Sequence, residues 1–492
     1  MRTSFIFVLL FSASRLVAQM DSLVVDWTNH TLVSRSTPTL QVVVNPPLRR
    51  SASIHDPSFK ALAALNCDYV RYVPWLPYPK LGVAELEPPA GGKTSWDFSL
   101  IDPMTIDFLE ATKGHPVILN FSTIPAWMYQ TREPVAYPAD PDAVIWNYNQ
   151  GTQPRDTSCR EIADYYGRLY DWYTKGGFTD ELGKKHASAY HYDIPYWEIL
   201  NEVDFEHNNT AQSYTKLYDA IVARIKKSSP GTKFVGLAVA DPVRPEWFEY
   251  FLDPKNHKPG TPLDMISYHF YASGNADEPI DRMQTSFFER ADGFLHTVRF
   301  LESIRKRLSP QTRTTIDEVG SYLGGDITGN ELPIPNGYWN LSAALYAYLF
   351  IELTGLGIDV ICESQLVGYP TQFPSVTMIN WENGKPNARY WVLKLIHDNF
   401  GSGDTLVSTG GLHNGDLQAQ GFITSRGKKV LFVNKTNKYL ALTFPASYDG
   451  ANVSVVDVST GENPPAVTTI RGATLMIRPF AVGVIEVPKD NR

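Results

Sequence analysis

The sequence predicts an α/β protein: a (β/α)8 TIM barrel followed by a C-terminal β-sandwich that is completed by N-terminal strands. Three observations carry this. Eight short apolar runs alternate with stretches of helical periodicity over roughly 360 residues. No Gly-rich phosphate loop follows the first run, which sets aside a doubly wound sheet. After Phe400-Gly401-Ser402-Gly403 the pattern becomes short alternating strands parted by turn signals such as Asp449-Gly450.

The 492 residues, 43% hydrophobic and 20% charged, suffice for one large domain and a smaller one with a sizeable core. A net charge of −8 without a long basic run argues against nucleic acid as a partner. No run of ~20 apolar residues is present, so no membrane partner is expected. Residues 1–19 combine Arg2, the apolar run Phe5 to Phe11 and small residues before Gln19. That is the layout of a secretory signal peptide cut near Ala18, and it predicts a secreted, extracellular protein. A buried N-terminal strand is the alternative. Sequons at Asn29, Asn208, Asn340, Asn434 and Asn452 are expected glycosylation sites. Asn120 also opens a sequon but falls in a predicted barrel strand. Cys67, Cys159 and Cys362 allow one bridge at most and match no zinc pattern, and no metal or cofactor is expected.

In chain order, residues 20–38 supply N-terminal strands, beginning with Leu23-Val24-Val25, that join the sandwich. Residues 39–400 form the barrel. Its predicted strands are Leu40–Val44, Tyr69–Val73, Val117–Phe121, Tyr196–Leu200, Phe234–Leu237, Met265–Tyr268, Thr314–Ile316 and Val360–Cys362. Helical patterns cover Cys159–Tyr173, Ala211–Lys227, Pro245–Leu252, Asp281–Leu308, Leu341–Leu353 and Ala388–Asn399. The second has Tyr214, Leu217, Tyr218, Ile221 and Ile225 on one face, and Pro230-Gly231 closes it. The long segment Ser122 to Asp193 includes a Pro- and aromatic-rich loop of the kind that serves as a lid. Residues 401–492 form the sandwich.

Two carboxylates stand out. Tyr196-Trp197-Glu198-Ile199-Leu200-Asn201-Glu202 is a buried strand whose end carries Glu202, and the seventh strand ends in Asp317-Glu318. Both lie at the carboxyl rim of the barrel, where catalytic groups of this fold gather. A rim pair of this kind suits glycoside hydrolysis: one acid on the leaving oxygen, one ionised carboxylate at the anomeric carbon. The acid must keep its proton near neutral pH, and a second carboxylate in the same site favours that.

Trp197-Glu198-Ile199-Leu200-Asn201-Glu202 resembles the strand-4 signature of the retaining clan A glycosidases. The spread of strand motifs resembles glycoside hydrolase family 39, whose members are β-xylosidase- and α-L-iduronidase-like. The resemblance implies Glu202 as acid/base, Glu318 as nucleophile, and Asn201 on the sugar 2-hydroxyl. Ser267-Tyr268-His269-Phe270-Tyr271 is similar to the family's His-x-Tyr, which implies Tyr271 near the nucleophile and His269 near substrate. Tyr69-Val70-Arg71 resembles the strand-2 motif, whose Arg supports the nucleophile. This chain departs from the family at Tyr72-Val73-Pro74, where a Gly-His-Gly is usual, and the resemblance therefore does not carry xylose specificity. Leu200 and Val203 replace the usual Trp and Pro around Asn-Glu, and Val319-Gly320 replaces Trp-Asn.

Trp75, Trp127, Trp146, Trp339 and Trp381 fall in predicted rim loops or at their edges, and Trp381 is the first choice for stacking on a sugar. Asn120 and Glu363, ending strands 3 and 8, are expected to hydrogen-bond substrate. His55 and Asp56 follow strand 1 and read as surface loop. His186 and His191 lack a third ligand, so no metal site is assigned to them. The function expected is a secreted, retaining, exo-acting glycosidase with an oligosaccharide or polysaccharide substrate. The alternatives are an endo-acting relative in the same clan and a non-catalytic carbohydrate-binding barrel. Oligomeric state is not legible.

Overall fold

The structure, a computed structural model, describes residues 21–146, 148, 151–206, 208–325, 333–412 and 415–488. The expected signal peptide, residues 1–19, lies outside them. Among the described residues no helix is long and apolar enough to cross a membrane.

Eight parallel strands close into a barrel in chain order: β1 (Thr37–Val43), β2 (Val70–Val73), β3 (Val117–Leu119), β4 (Tyr196–Glu198), β5 (Lys233–Val239), β6 (Met265–Gly274), β7 (Arg313–Leu323) and β8 (Val360–Glu363). β8 returns to β1 with Val360 opposite Thr37 and Glu363 opposite Leu40. Strands covered on both faces read as continuous apolar runs, which is why the sequence shows them plainly. β6 and β7 run well past their predicted ends, because their polar distal residues pair with each other from His269–Glu318 to Gly274–Leu323.

The outer helices are α1 (His55–Leu65), α2 (Asp102–Ala111), α3 (Arg160–Thr174), α4 (Ala211–Ser228), α5 (Pro245–Phe251), α6 (Ile280–Leu308), α7 (Tyr338–Leu356) and α8 (Ala388–His397). α1 and α2 were absent from the predicted set. Both are short and bury narrow faces, and Pro103 near the start of α2 was the available signal. α4 starts at Thr210, whose side chain accepts from the Ser213 N–H in a capping box. It buries Tyr214, Leu217, Tyr218, Ile221 and Ile225, at about 1.5–3 kcal/mol for each large side chain. α7 is apolar all round, and it lies between barrel strands β7 and β8 and the sandwich.

The sandwich takes strands from both ends of the chain. Val24–Val33 is the edge strand of a seven-stranded sheet and pairs antiparallel with Thr405–Gly410. Asp21–Ser22 pairs with Leu440–Thr443 in a three-stranded sheet. Leu23, Phe432, Leu442, Phe444, Val453 and Ile485 share the core of the sandwich.

Two expected glycosylation sites are corrected by burial. Asn340 sits in the first turn of α7 and is 8% exposed. Asn434 is 0% exposed, and its amide donates to the Lys438 and Arg478 carbonyls at 2.8 Å. A glycan on either nitrogen is incompatible with this packing. Asn29, Asn208 and Asn452 are exposed, whereas Asn120 is buried.

Candidate active site

β4 stops at Glu198 because the chain then turns through left-handed backbone at Leu200 (φ 63°) and Glu202 (φ 41°). Such conformations are strained for residues with a Cβ and persist only where the surroundings fix them. Here the Asn120 amide donates to the Leu200 carbonyl at 2.9 Å, and the Tyr214 hydroxyl donates to that of Ile199 at 3.0 Å. The turn delivers Asn201 and Glu202 to the wall of a pocket of about 230 Å³ at the barrel mouth.

β7 supplies the opposite wall through a bulge. Tyr268 faces Ile316 but His269 faces Glu318, so Asp317 is an extra residue. Consecutive strand residues ordinarily point to opposite faces. With the bulge, both Asp317 and Glu318 reach Arg71 of β2, at 3.1 and 2.7 Å.

Arg71 is the hub. Fully buried, its guanidinium donates to Glu198, Gln41, Glu318 and Asn201 at 2.5 to 2.8 Å. Glu198 also accepts from Ser267 at 2.6 Å and Asn120 at 2.7 Å. Burial favours the neutral form of Glu198. The Arg71 charge and hydrogen bonds from Asp317, Ser267 and Arg71 outweigh it and hold Glu198 below its ordinary value. Burial pushes Asp317 well above the carboxylate range; Arg71 opposes the rise, and Glu198 beside it adds to it. Of this buried pair, Glu198 is the member whose charged form is favoured.

Glu318 shows the same contest. Burial alone would raise it. The His269 and Arg71 charges, with hydrogen bonds from Tyr271 and Arg71, hold it lowered and ionised. The Tyr271 hydroxyl is 2.6 Å from both Glu318 and Ser364. Having one proton, it donates to the carboxylate and accepts from the serine. Gln41 in turn donates to Ser364 at 2.6 Å.

His269 Nδ1 lies between the two rim carboxylates, 3.1 Å from Glu202 and 3.6 Å from Glu318, while Nε2 is 3.5 Å from Asp317. Burial would lower its proton affinity, but Glu318, Asp317 and Glu202 raise its pKa to about 9. One oxygen of Glu202, one of Glu318 and a ring nitrogen of His269 lie within 4.8 Å of one another. These atoms are close enough to hold a metal ion; the contacts they make in the structure are with one another, and Glu318 is also met by Arg71 and Tyr271.

Sequence reading missed Glu206. Its carboxyl accepts from the Asn201 amide at 2.9 Å and from the Trp75 indole. Burial, and then the neighbouring Glu202, push its pKa well above the ordinary glutamate value and favour its neutral form. Asn201 is thereby fixed at both ends, its oxygen on Arg71 and its nitrogen on Glu206. The sequence carried no signal for this beyond a carboxylate four residues after Glu202.

The expected site residues divide. Asn201, Glu202, Tyr271 and Glu318 line the pocket, with Trp75, Tyr322 and Phe373. Arg71 and His269 lie behind that wall and hold its carboxylates. Three expectations are corrected. Asn120 is buried beneath the pocket as a brace for β4. Glu363 is buried against Arg389 at 3.1 Å, where burial outweighs the arginine and pushes it up to about 8. It does not line the pocket at the barrel mouth, because β8 ends with that carboxylate turned toward Arg389 of α8. Trp381 follows a tight turn around Asn380 away from the mouth and lines a separate cleft with Trp339. Trp146 meets Trp75 edge to face, and Trp127 donates to the Glu85 carbonyl under Arg155, so both anchor loops. His55 joins Asp56 and Asp107 on the helical layer. The three cysteines are free and buried. A further cleft, of about 700 Å³, lies at the opposite end of the barrel, around His115 and His191.

No protein-family model and no curated protein sequence matches the chain. Its fold is similar to solved structures along nearly its whole length. A glycoside hydrolase family 51 arabinofuranosidase from Xanthomonas axonopodis pv. citri aligns with a TM-score of 0.65 and 12% identity, over 95% of this chain and 100% of that one. A glucosidase from Croceicoccus marinus gives 0.61 and 14%, over 96% and 99%. A glycoside hydrolase family 30 endoxylanase from Clostridium papyrosolvens gives 0.57 and 13%, over 94% and 99%. The fold shared with these structures is a (β/α)8 barrel with a β-sandwich, and the two whose family is stated belong to families 51 and 30, not to the family 39 that the sequence resembles.

Proposed function

We propose that the protein is a retaining glycoside hydrolase with Glu318 as nucleophile and Glu202 as acid/base. The observation that carries this is the spacing of the two carboxylates, whose nearest oxygens are within 4.8 Å. Retaining enzymes keep the pair about 5–5.5 Å apart, whereas inverting ones leave about 6.5–9.5 Å for a water. In the first step the Glu318 carboxylate bonds to the anomeric carbon as the glycosidic C–O bond breaks, and Glu202 gives its proton to the leaving oxygen. In the second, Glu202 takes a proton from water, whose oxygen displaces Glu318 from the same carbon. Arg71 and Tyr271 keep Glu318 charged between turnovers, and Asn201, locked by Arg71 and Glu206, presents its amide to the sugar.

The pocket of about 230 Å³, closed in by Trp75, Tyr322 and Phe373, favours a single terminal sugar and hence exo action. The apolar run at residues 5–11 supports export through a signal peptide. A screen of aryl xylosides, glucosides, galactosides, arabinofuranosides and fucosides, with proton NMR of the first-formed anomer, tests the reaction. Net retention is expected, and inversion would refute the double displacement. Glu318→Ala is expected to lose turnover by several orders of magnitude and to regain part of it with azide, giving the inverted glycosyl azide. Full activity in that variant would overturn the assignment.

A further inference from the structure

Trp339 and Trp381 do not belong to the reaction pocket, yet they face one another's surroundings across a larger recess. It measures about 770 Å³ and is bounded by the start of α7, the turn after β8 and Gly461-Glu462 of the sandwich. Both indoles are half-buried, so each keeps part of its ring open to the cleft. Neither indole N–H meets a partner among the described residues. Asn340, beside them in the same lining, is 8% exposed, and its Nδ2 has no hydrogen-bond partner among the described residues. A buried amide nitrogen without an acceptor is uncommon and costly, and a small shift of the lining would let it meet a water or a ligand hydroxyl, though not carry a covalent glycan.

The charges narrow the ligand. Glu382 is exposed and has no cation partner among the described residues. Glu462 is met by Lys385 at 3.5 Å and by the Asn383 amide at 3.3 Å, so the nearby cation is already committed. The lining therefore has two aromatic faces, spare N–H donors and an uncompensated carboxylate acceptor. Uncharged sugar rings match all three, with C–H faces for the indoles and hydroxyls for the donors and acceptors. A uronate or sulfated sugar would meet Glu382 with like charge. The cleft also adjoins the reaction pocket across one loop: Phe373 and Val376 line the pocket, and Tyr369, Pro370 and Pro374 line the cleft.

We propose that this cleft is a second carbohydrate-binding site, one that takes uncharged sugar units of an oligo- or polysaccharide. The site stands apart from the hydrolase reading, since binding here needs no turnover. Affinity electrophoresis of the full chain carrying Glu318→Ala, through gels holding arabinan, xylan, mixed-linkage β-glucan or polygalacturonate, reads it directly. Retardation is expected in at least one neutral polymer and not in polygalacturonate. Adding Trp339→Ala and Trp381→Ala is expected to weaken that retardation at least tenfold. Trp381 sits on a surface turn, so Trp381→Ala alone, with an unchanged circular dichroism spectrum, supplies the same reading should the double variant misfold. No retardation in any neutral polymer, or retardation that survives the tryptophan replacements, would overturn the proposal. So would equal retardation in polygalacturonate. If the aryl glycoside screen is silent while retardation and its loss are seen, the hydrolase reading fails and the second site stands.

Discussion

Glu206 sits where burial and Glu202 favour its neutral form. It holds Asn201 and Trp75 through an oxygen that only accepts, so Glu206→Gln keeps the acceptor and the charge state. That variant is expected to retain kcat/KM within about threefold, whereas Glu206→Ala, which frees both partners, is expected to cost about 1–3 kcal/mol, or about ten- to a hundredfold. Equal damage from both variants would show that a charged carboxylate is required. His269 gives a second test. Its pKa is raised from 6.5 to about 9 in the folded chain, so its stabilising contribution is complete below pH 6.5 and is lost as pH rises through 9. The gap in thermal midpoint between the native chain and His269→Gln should therefore narrow from pH 6 to pH 10. A widening gap would contradict a protonated imidazole. At this scale the two carboxylates that line the pocket, Glu202 and Glu318, were legible in the sequence, because each follows an apolar run. Glu206 was not, because its polar neighbourhood looks like any loop after a strand.

The seventh strand illustrates what pairing adds to pattern. Strict alternation sends Asp317 and Glu318 to opposite faces, and the registers with β6 and β8 reveal the bulge that turns both toward Arg71. Two residues further along, a Cβ on Gly320 would lie 3.2 Å from Arg389 Nη2 and 3.3 Å from both the Ser364 carbonyl and a Tyr271 ring carbon. Gly320→Ala is expected to press Tyr271 off Glu318, lowering kcat about tenfold or more. The accompanying loss of stability should be about 1–3 kcal/mol, read from denaturant unfolding. A normal kcat at reduced stability would detach Tyr271 from the chemistry. Strand positions were legible because their runs are apolar on both faces. Trp381 was misplaced for a physical reason as well: a turn closed by the Asn380 side chain redirects the chain within three residues, which composition does not encode.

Across the whole molecule, the barrel and sandwich share α7 and the ends of the chain. Ending the chain at residue 400 would bare the sandwich-facing side of α7 and leave Val24–Val33 an unpaired strand. Residues 21–400 are expected to be insoluble, or compact without near-UV circular dichroism, and the full chain to melt in one calorimetric transition. A soluble, cooperatively folding barrel would show that the sandwich is dispensable. Its origin in both ends of the chain was legible, because the first apolar run precedes the barrel pattern and belongs to none of its units.

That shared sheet sets an order in time. The Thr31 hydroxyl donates to the Leu406 carbonyl, 375 residues further along the chain. At ribosomal speeds of about 5–20 residues per second, the first partner waits on the order of tens of seconds for the second. During that wait the barrel strands, each next to its predecessor, are free to assemble while Val24–Val33 keeps an open edge. This pairing therefore comes late, after the barrel strands have been made, and the waiting edge is where chaperone protection or mispairing would fall.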